Sequence, residues 1–539
     1  MSTSKKVFRL ASQWLKDFES SNPSAISSLS QQYSDGYYEL LENKRRTVIN
    51  LLKSYINQFN DTSVVISRAS GRINMMGRHV DHQGGYGNMM ALDKDIFCVA
   101  GERNDNYVRI HNLKTRLYAD RDFEIDTLID SYEGDWLEYV NSNELRQQVN
   151  VAQGDWSQYI KAIVARLQTM FSEKKIKGVN LVFSGDIPIA AGLSSSSALV
   201  VAVAQAIAEI NNLNIPLVEF IELCAEAEWY VGTRGGAGDH AAIMYCKKGT
   251  ITQLSYFPVH EVQEIPFPGD YALVICNSME KARKTAGAKD IFNHRVACYH
   301  IGRELFKKSY PDYASKITHL RDINIGNLGV TIPSLLKMIK KLPMYLNRDE
   351  VANHIGTEKA REYLQNHSEQ LTSYPIRNIL LFGLGEIERS RIVAKLIKAR
   401  NIDEVGNLMN ISHNGDRIMS YQANGESISY SLEYADKLLN QIITKMQSPE
   451  KFNFEYISGS YGCSSSKIDQ LVDISLSVKG VVGAQLAGAG LGGCIMVLIK
   501  KEFYEDLYNT LVKKYYEPAE LEAAVFLCNP SRGCNIIAY

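Results

Sequence analysis

The chain has 539 residues, 45% apolar and 22% charged, with a formal net charge of −1. That is the composition of a soluble globular protein of two or three domains, and near-neutrality argues against a nucleic-acid or acidic-membrane partner. Nine scattered cysteines form no Cys-x-x-Cys pair and no Cys/His cluster, so neither zinc nor a disulfide framework is expected, and reduced thiols fit a cytoplasmic setting. Residues 1 to 60 place Phe8, Leu10, Trp14, Leu15, Leu40, Leu41, Val48, Leu51, Leu52 and Ile56 near helical spacing, which predicts a packed helical extension. The opening run lacks the continuous apolar core of a signal peptide.

Val64–Ile66 is an apolar β-branched run and reads as a strand. Between Gly71 and Gly85 follow Arg72, Asn74, Arg78, His79, Asp81, His82 and Gln83. Aspartate and histidine can fix hydroxyl groups, and arginine can grip carboxylate or phosphate with two parallel bonds. A polar turn whose glycines supply positive φ is the plainer alternative.

In Pro188–Ile207 a Gly-Leu pair precedes four serines, Ser194, Ser195, Ser196 and Ser197, and then an apolar run broken only by Gln205. That order predicts a loop followed by a buried helix, with serine as its cap. The free N–H groups of such a helix point at open space and favour an anion, a phosphate above all. No Lys-Ser/Thr follows the glycine, so this is not a P-loop. Near the C-terminus, Gly480–Ile499 carries no charge, but Gly488, Gly490, Gly492 and Gly493 interrupt it. Glycines in the middle weaken a membrane helix, so Val481–Leu486 and Cys494–Ile499 read as strands around a glycine loop that lets backbone approach a ligand.

These three segments resemble, in order, the motifs of the GHMP small-molecule kinases. PIAAGLSSSSA is similar to their phosphate-binding motif and LAGAGLGGC to their C-terminal one. GRINMMGRHVDHQGG resembles the signature of the galactokinase branch, and so do Gly154–Ile163, Glu386–Asp416 and Tyr461–Val472. The likeness spans about Val64 to Ile499. It implies an α+β fold of two domains with the active site between them, behind the helical extension at 1–60. The N-terminal domain would cover 61–260 and the C-terminal domain 261–539, with a helical, insertion-prone region from Ile317 to about His367.

The resemblance also implies roles. ATP and Mg2+ would be the cofactors, and a monosaccharide the acceptor, phosphorylated at its anomeric hydroxyl. Asp239, in Gly232–Met244, matches the branch's catalytic base, although His240 replaces the glutamine that follows it; capping the next helix is its alternative role. Arg72 would sit beside Asp239 and stabilise charge in the transition state. Gly192, Leu193, Ser194, Ser195, Ser196, Ser197, Gly490 and Gly492 would hold ATP. Ser196 would ligate magnesium, with Glu228 as second ligand after a small register shift, because Ala227 stands where a glutamate is expected and Glu226 and Glu228 flank it.

Arg78, His79, Asp81 and His82 would bind the sugar. Galactokinases carry Glu and Tyr where this chain has Arg78 and His82. A cation in place of an acceptor suits an anionic sugar such as a uronic acid, and Asp81–Gly85 and Phe292–Ala297 resemble plant galacturonokinases, which have alanine at Arg78. That Arg78 points to solvent or pairs with an acidic neighbour is the alternative. A galactose-like neutral sugar, a sugar phosphate, and a sugar- and ATP-binding sensor without turnover remain open. A mevalonate-type kinase is disfavoured, since the His79/Asp81 pair suits a polyol.

Overall fold

The computed structural model describes residues 7–34, 38–129, 135–152, 154–188, 191–233, 235–280, 287–422, 424–446 and 453–539. Ile189 and Ala190 of the serine-rich loop, and Arg234 of the Asp239 segment, lie outside the described residues.

The first lobe is built on a nine-stranded sheet. Its main path runs from Arg9–Leu10 through Ser63–Asn74, Tyr86–Glu102, Val179–Gly185 and Tyr107–Asn112 to Arg121–Glu124. The hairpin Thr250–Ser255/His260–Pro266 branches from Tyr86–Glu102. On one face lies the helix Ser195–Ile210, apolar nearly all round and packed among both long central strands and the helix Ser157–Met170. Its side chains have no solvent side, which is why the sequence carries no polar stripe.

The opposite face is covered by the N-terminal helices Ala11–Glu19, Pro23–Ser30 and Tyr38–Phe59. Trp14, Phe18, Leu51, Leu52 and Tyr55 pack there against Val64, Ile66, Phe97, Val99 and Val182. Buried charges pin this layer: Lys44 Nζ lies 2.9 Å from both Asp95 and Asp186, Tyr33 donates to Asp95 at 2.5 Å, and Arg68 pairs with Asp95.

The second lobe holds an antiparallel sheet in the order Val481–Leu486, Cys494–Lys500, Tyr271–Asn277, Val525–Cys528. The helices Ile402–Asp416 and Ser466–Leu476 pack on its first strand. A helical body stands beside it, with a separate core formed by Gly287–Ser309, Ile376–Lys398 and the short helices between Ile317 and His367. Strand, glycine loop and strand occur in Gly480–Ile499 as the sequence implies. The lobes are not split cleanly in sequence. The boundary drawn after residue 260 falls inside the strand His260–Pro266, and Cys534–Ile536 returns to pair with Ser63–Asn74 in the first sheet. All nine cysteines are free and buried, and no described helix is long and apolar enough to cross a membrane.

Candidate active site

A β-bulge sets the centre of the site. The strand Ser63–Asn74 shifts register between Ser70 and Arg72, and such bulges re-aim side chains. Gly71 lies within the bulge because a Cβ there would stand 2.9 Å from the Leu193 carbonyl. Arg72 then donates its backbone N–H to Leu193 O at 3.2 Å, Nη1 to Gly192 O at 2.9 Å, and Nε to Asp239 Oδ1 at 2.8 Å. One arginine thus ties the first motif to the serine-rich loop and to Asp239.

The other Asp239 oxygen accepts from the Ser194 hydroxyl. Ser194 is therefore not the helix cap that the sequence suggests. It adopts a left-handed backbone with φ 58°, makes no side-chain cap to the helix, and spends its hydroxyl on Asp239. Nor does Asp239 cap its own helix, Gly238–Tyr245, since it lies inside the first turn. The Arg72 and Asp239 side chains are 10% and 35% exposed, so the Asp239 carboxylate is reachable from solvent. Ser195 and Ser196, half-buried, begin the helix beside it.

The glycine loop meets the serine-rich loop backbone to backbone. A Cβ on Gly192 would lie 2.6 Å from Ala487 O, and one on Gly488 2.6 Å from Gly192 O. Both residues have positive φ, so two glycines are needed at this crossing. Gly490 is glycine for another reason: its Cβ would collide with the Cys463 carbonyl at 2.0 Å. Gly492 also has positive φ, at 115°.

Beneath the helix start, Glu228 accepts from the Ser197 hydroxyl at 2.8 Å, and His240 Nε2 stands 3.4 Å from the same carboxylate oxygen. The helix Leu217–Ala227 ends in a tight 3-10 turn, Glu228–Val231. That turn swings Glu228 inward, whereas Glu226 pairs with Arg166 at 2.7 Å.

Asp81 and His82 form a 3-10 turn with Gln83, and His82 Nδ1 lies 3.1 Å from Asp81 Oδ1. Asp81 leans on the Asp239 segment: Cβ atoms on Gly236 and Gly238 would lie 2.6 and 2.9 Å from its Oδ2. Burial alone would raise the Asp81 carboxyl, but bonding and charge from His82 bring it below its usual value. Asp81 is thus an ionised acceptor next to the Asp239 segment.

Arg78 behaves differently from what its sequence context suggests. It is buried, donates Nη2 to Asp416 at 2.9 Å, and also bonds to Gln485. Its charge is answered by a carboxylate 338 residues away, so it presents no free cation for a substrate carboxylate. His79 stacks on Tyr461 with ring centroids 4.3 Å apart, and its Nε2 is 3.5 Å from Asp416. Burial pushes Asp416 up, yet His79 and Arg78 overcome this and hold it below the usual carboxylate range. The neighbouring turn is fixed by Glu386, which accepts from the backbone N–H of Gly77 at 2.8 Å, from Arg389 Nε at 2.8 Å and from Ser412 at 2.8 Å. Asp416, Gln485 and Glu386 escape sequence reasoning. All three fall in stretches named above, but no spacing rule links them to Arg78.

The galactokinase galactose-binding signature matches residues 53–102, the GHMP kinase N-terminal domain 158–247 and the GHMP kinase C-terminal domain 432–517. A galactokinase of Dictyostelium discoideum is 25% identical, with 97% of this chain and 99% of that protein covered. A Schizosaccharomyces pombe galactokinase is 24% identical over 92% of this chain and 96% of its own length. The crystal structure of Lactococcus lactis galactokinase, complexed with galactose, superposes with a TM-score of 0.63 at 20% identity, covering 91% of this chain and 99% of that one. Three family matches in the expected order, full-length relatives and a shared fold agree: the chain belongs to the GHMP kinases, on their galactokinase-like branch.

Proposed function

We propose that this protein is a sugar kinase that transfers the γ-phosphoryl group of ATP to the anomeric hydroxyl of a galactose-like monosaccharide. The observation that carries this reading is the Arg72–Asp239–Ser194 cluster, held at the start of the helix Ser195–Ile210 with Asp81 beside it. A helix N-terminus favours phosphate, and a carboxylate next to it can serve an attacking hydroxyl.

Each carboxylate oxygen of Asp239 has lone pairs beyond those used by Arg72 and Ser194. Asp239 therefore takes the hydroxyl proton as the new O–P bond forms and ADP leaves. Arg72 fixes the carboxylate and offsets charge on the transferring group. Asp81, His79 and His82 position the sugar, and the crossed glycine backbones at Gly192 and Gly488 let the phosphates approach main-chain atoms.

The oxygen donors of Glu228 and the serines at the helix start fit magnesium, which prefers such ligands and keeps several waters. Bound there, it would neutralise phosphate charge. With Arg78 engaged by Asp416, a neutral acceptor is favoured over a uronic acid. The test is ADP release with Mg-ATP over galactose, glucose, arabinose, fucose, galacturonate and glucuronate. Turnover on galactose is expected. Turnover confined to a uronic acid overturns the neutral acceptor, and silence on every sugar overturns the kinase reading.

A further inference from the structure

Beside Asp81 and Gly238 lies a residue that no motif marks. Tyr256 follows the strand Thr250–Ser255 and is 2% exposed. Its hydroxyl is sealed from solvent and has no hydrogen-bond partner among the described residues. A buried hydroxyl without a partner is costly and unusual, so its position calls for a ligand. The ring packs among Met89, Ala91, Leu254 and Val259, and its hydroxyl emerges between Gly87 and Gly238 beside the site described above. A Cβ on Gly238 would lie 3.1 Å from the Tyr256 hydroxyl and 2.9 Å from Asp81 Oδ2. Both oxygens thus face the residue immediately before Asp239.

The backbone around Tyr256 is held firmly. Arg321 reaches from the helical body, donating Nη1 to Tyr256 O at 2.5 Å and Nη2 to Phe257 O at 2.9 Å. The same side chain covers Gly84, at the end of the sugar motif: a Cβ there would meet Arg321 Cδ at 2.7 Å. The ring of Phe257 stacks on His319 with centroids 4.3 Å apart. Burial, reinforced by Asp81 and Asp239, pushes the Tyr256 phenol well up, so it remains a hydrogen-bond donor.

Resting on the kinase reading above, we infer that Tyr256 is an acceptor-binding residue whose hydroxyl donates to a ring hydroxyl of the sugar that in turn donates to Asp81. The two partners are complementary: one is a donor and the other an ionised acceptor. The shared hydroxyl is distinct from the one that Asp239 deprotonates.

The test is Tyr256→Phe, assayed on galactose and on its 2-, 3-, 4- and 6-deoxy analogues, with thermal unfolding recorded. Loss of one neutral hydrogen bond is expected to raise the sugar KM about 3–10-fold, with the KM for ATP unchanged. The unfolding temperature should hold or rise, because no protein partner is lost. For one deoxy sugar the variant and the wild type should then match, which names the hydroxyl by a double-mutant cycle. If the wild type turns over galactose and Tyr256→Phe leaves every sugar KM unchanged, Tyr256 is not in the acceptor site. Tyr256 is likewise excluded from that site if its KM changes are equal for all sugars and accompany a fall in unfolding temperature. A wild type silent on all of these sugars removes the kinase reading and this contact with it.

Discussion

The first motif contains two arginines six residues apart, each facing an aspartate from a distant part of the chain, and the two pairs do opposite work. Arg72 meets Asp239 where the side chains are 10% and 35% exposed; Arg78 meets Asp416 where they are 1% and 0% exposed. The first pair leaves a carboxylate accessible to a substrate hydroxyl. The second is sealed between lobes, and its charges answer only each other and the surrounding polar side chains. Residue type and spacing alone do not separate them; solvent access does.

Four measurements sharpen that contrast. Asp239→Asn should lower kcat about 10²–10⁴-fold, the usual worth of a general base, while ATP binding by calorimetry and the unfolding temperature stay near wild type. Asp416→Asn should act in the reverse sense. It leaves Arg78 buried without its counter-charge and should cost about 3–5 kcal/mol in urea unfolding, with kcat of the folded molecules changed only a few-fold. Removing both charges, as in Arg78→Met/Asp416→Leu, should recover most of that loss, since replacing a buried pair by apolar groups is often neutral or stabilising. A double variant no more stable than Asp416→Asn would show that packing, not charge, dominates at this position.

The smallest effect is on acid sensitivity. Asp416 and Glu386 are both held below their ordinary carboxyl values despite burial, Asp416 by His79 and Arg78, Glu386 by Arg389 and Arg78. A depressed folded-state value means that the unfolded chain takes up protons first as pH falls below about 4. Stability from these groups is therefore complete above that range and is lost on acidification. The unfolding temperature of wild type should drop more steeply between about pH 5 and pH 3 than that of Arg78→Met/Asp416→Leu. Parallel curves would remove the pair from acid stability.

Much of the site is legible in the sequence because its chemistry is local. The glycine loop between strands and the buried helix behind the serines each follow from a short stretch, while the pairing of Arg72 with Asp239, 167 residues apart, is implied only by the family resemblance. The remainder depends on contacts that no local pattern encodes. Arg78 finds Asp416 and Gln485 at separations of 338 and 407 residues. Ser194 reads as a cap because a serine before a helix has two available partners, the helix N–H groups and a distant acceptor, and here the aspartate wins. Glu228 depends on a helix tightening into a 3-10 turn at its end, a change that apolar periodicity does not record. Tyr256 sits just past a strand end with no motif around it.

The strand Cys534–Ile536 lies against Ser63–Asn74, and Tyr539 packs edge-on against Trp14 with ring centroids 5.1 Å apart. Segments more than 500 residues apart in sequence, around Arg9–Trp14 and Cys534–Tyr539, are therefore knitted into one layer. Chains emerge from the ribosome N-terminus first, so this sheet stays a strand short until Cys534–Ile536 has been made. A truncated or stalled product would expose the flank of Ser63–Asn74, the strand that aims Arg72, as an open edge ready to pair with another chain.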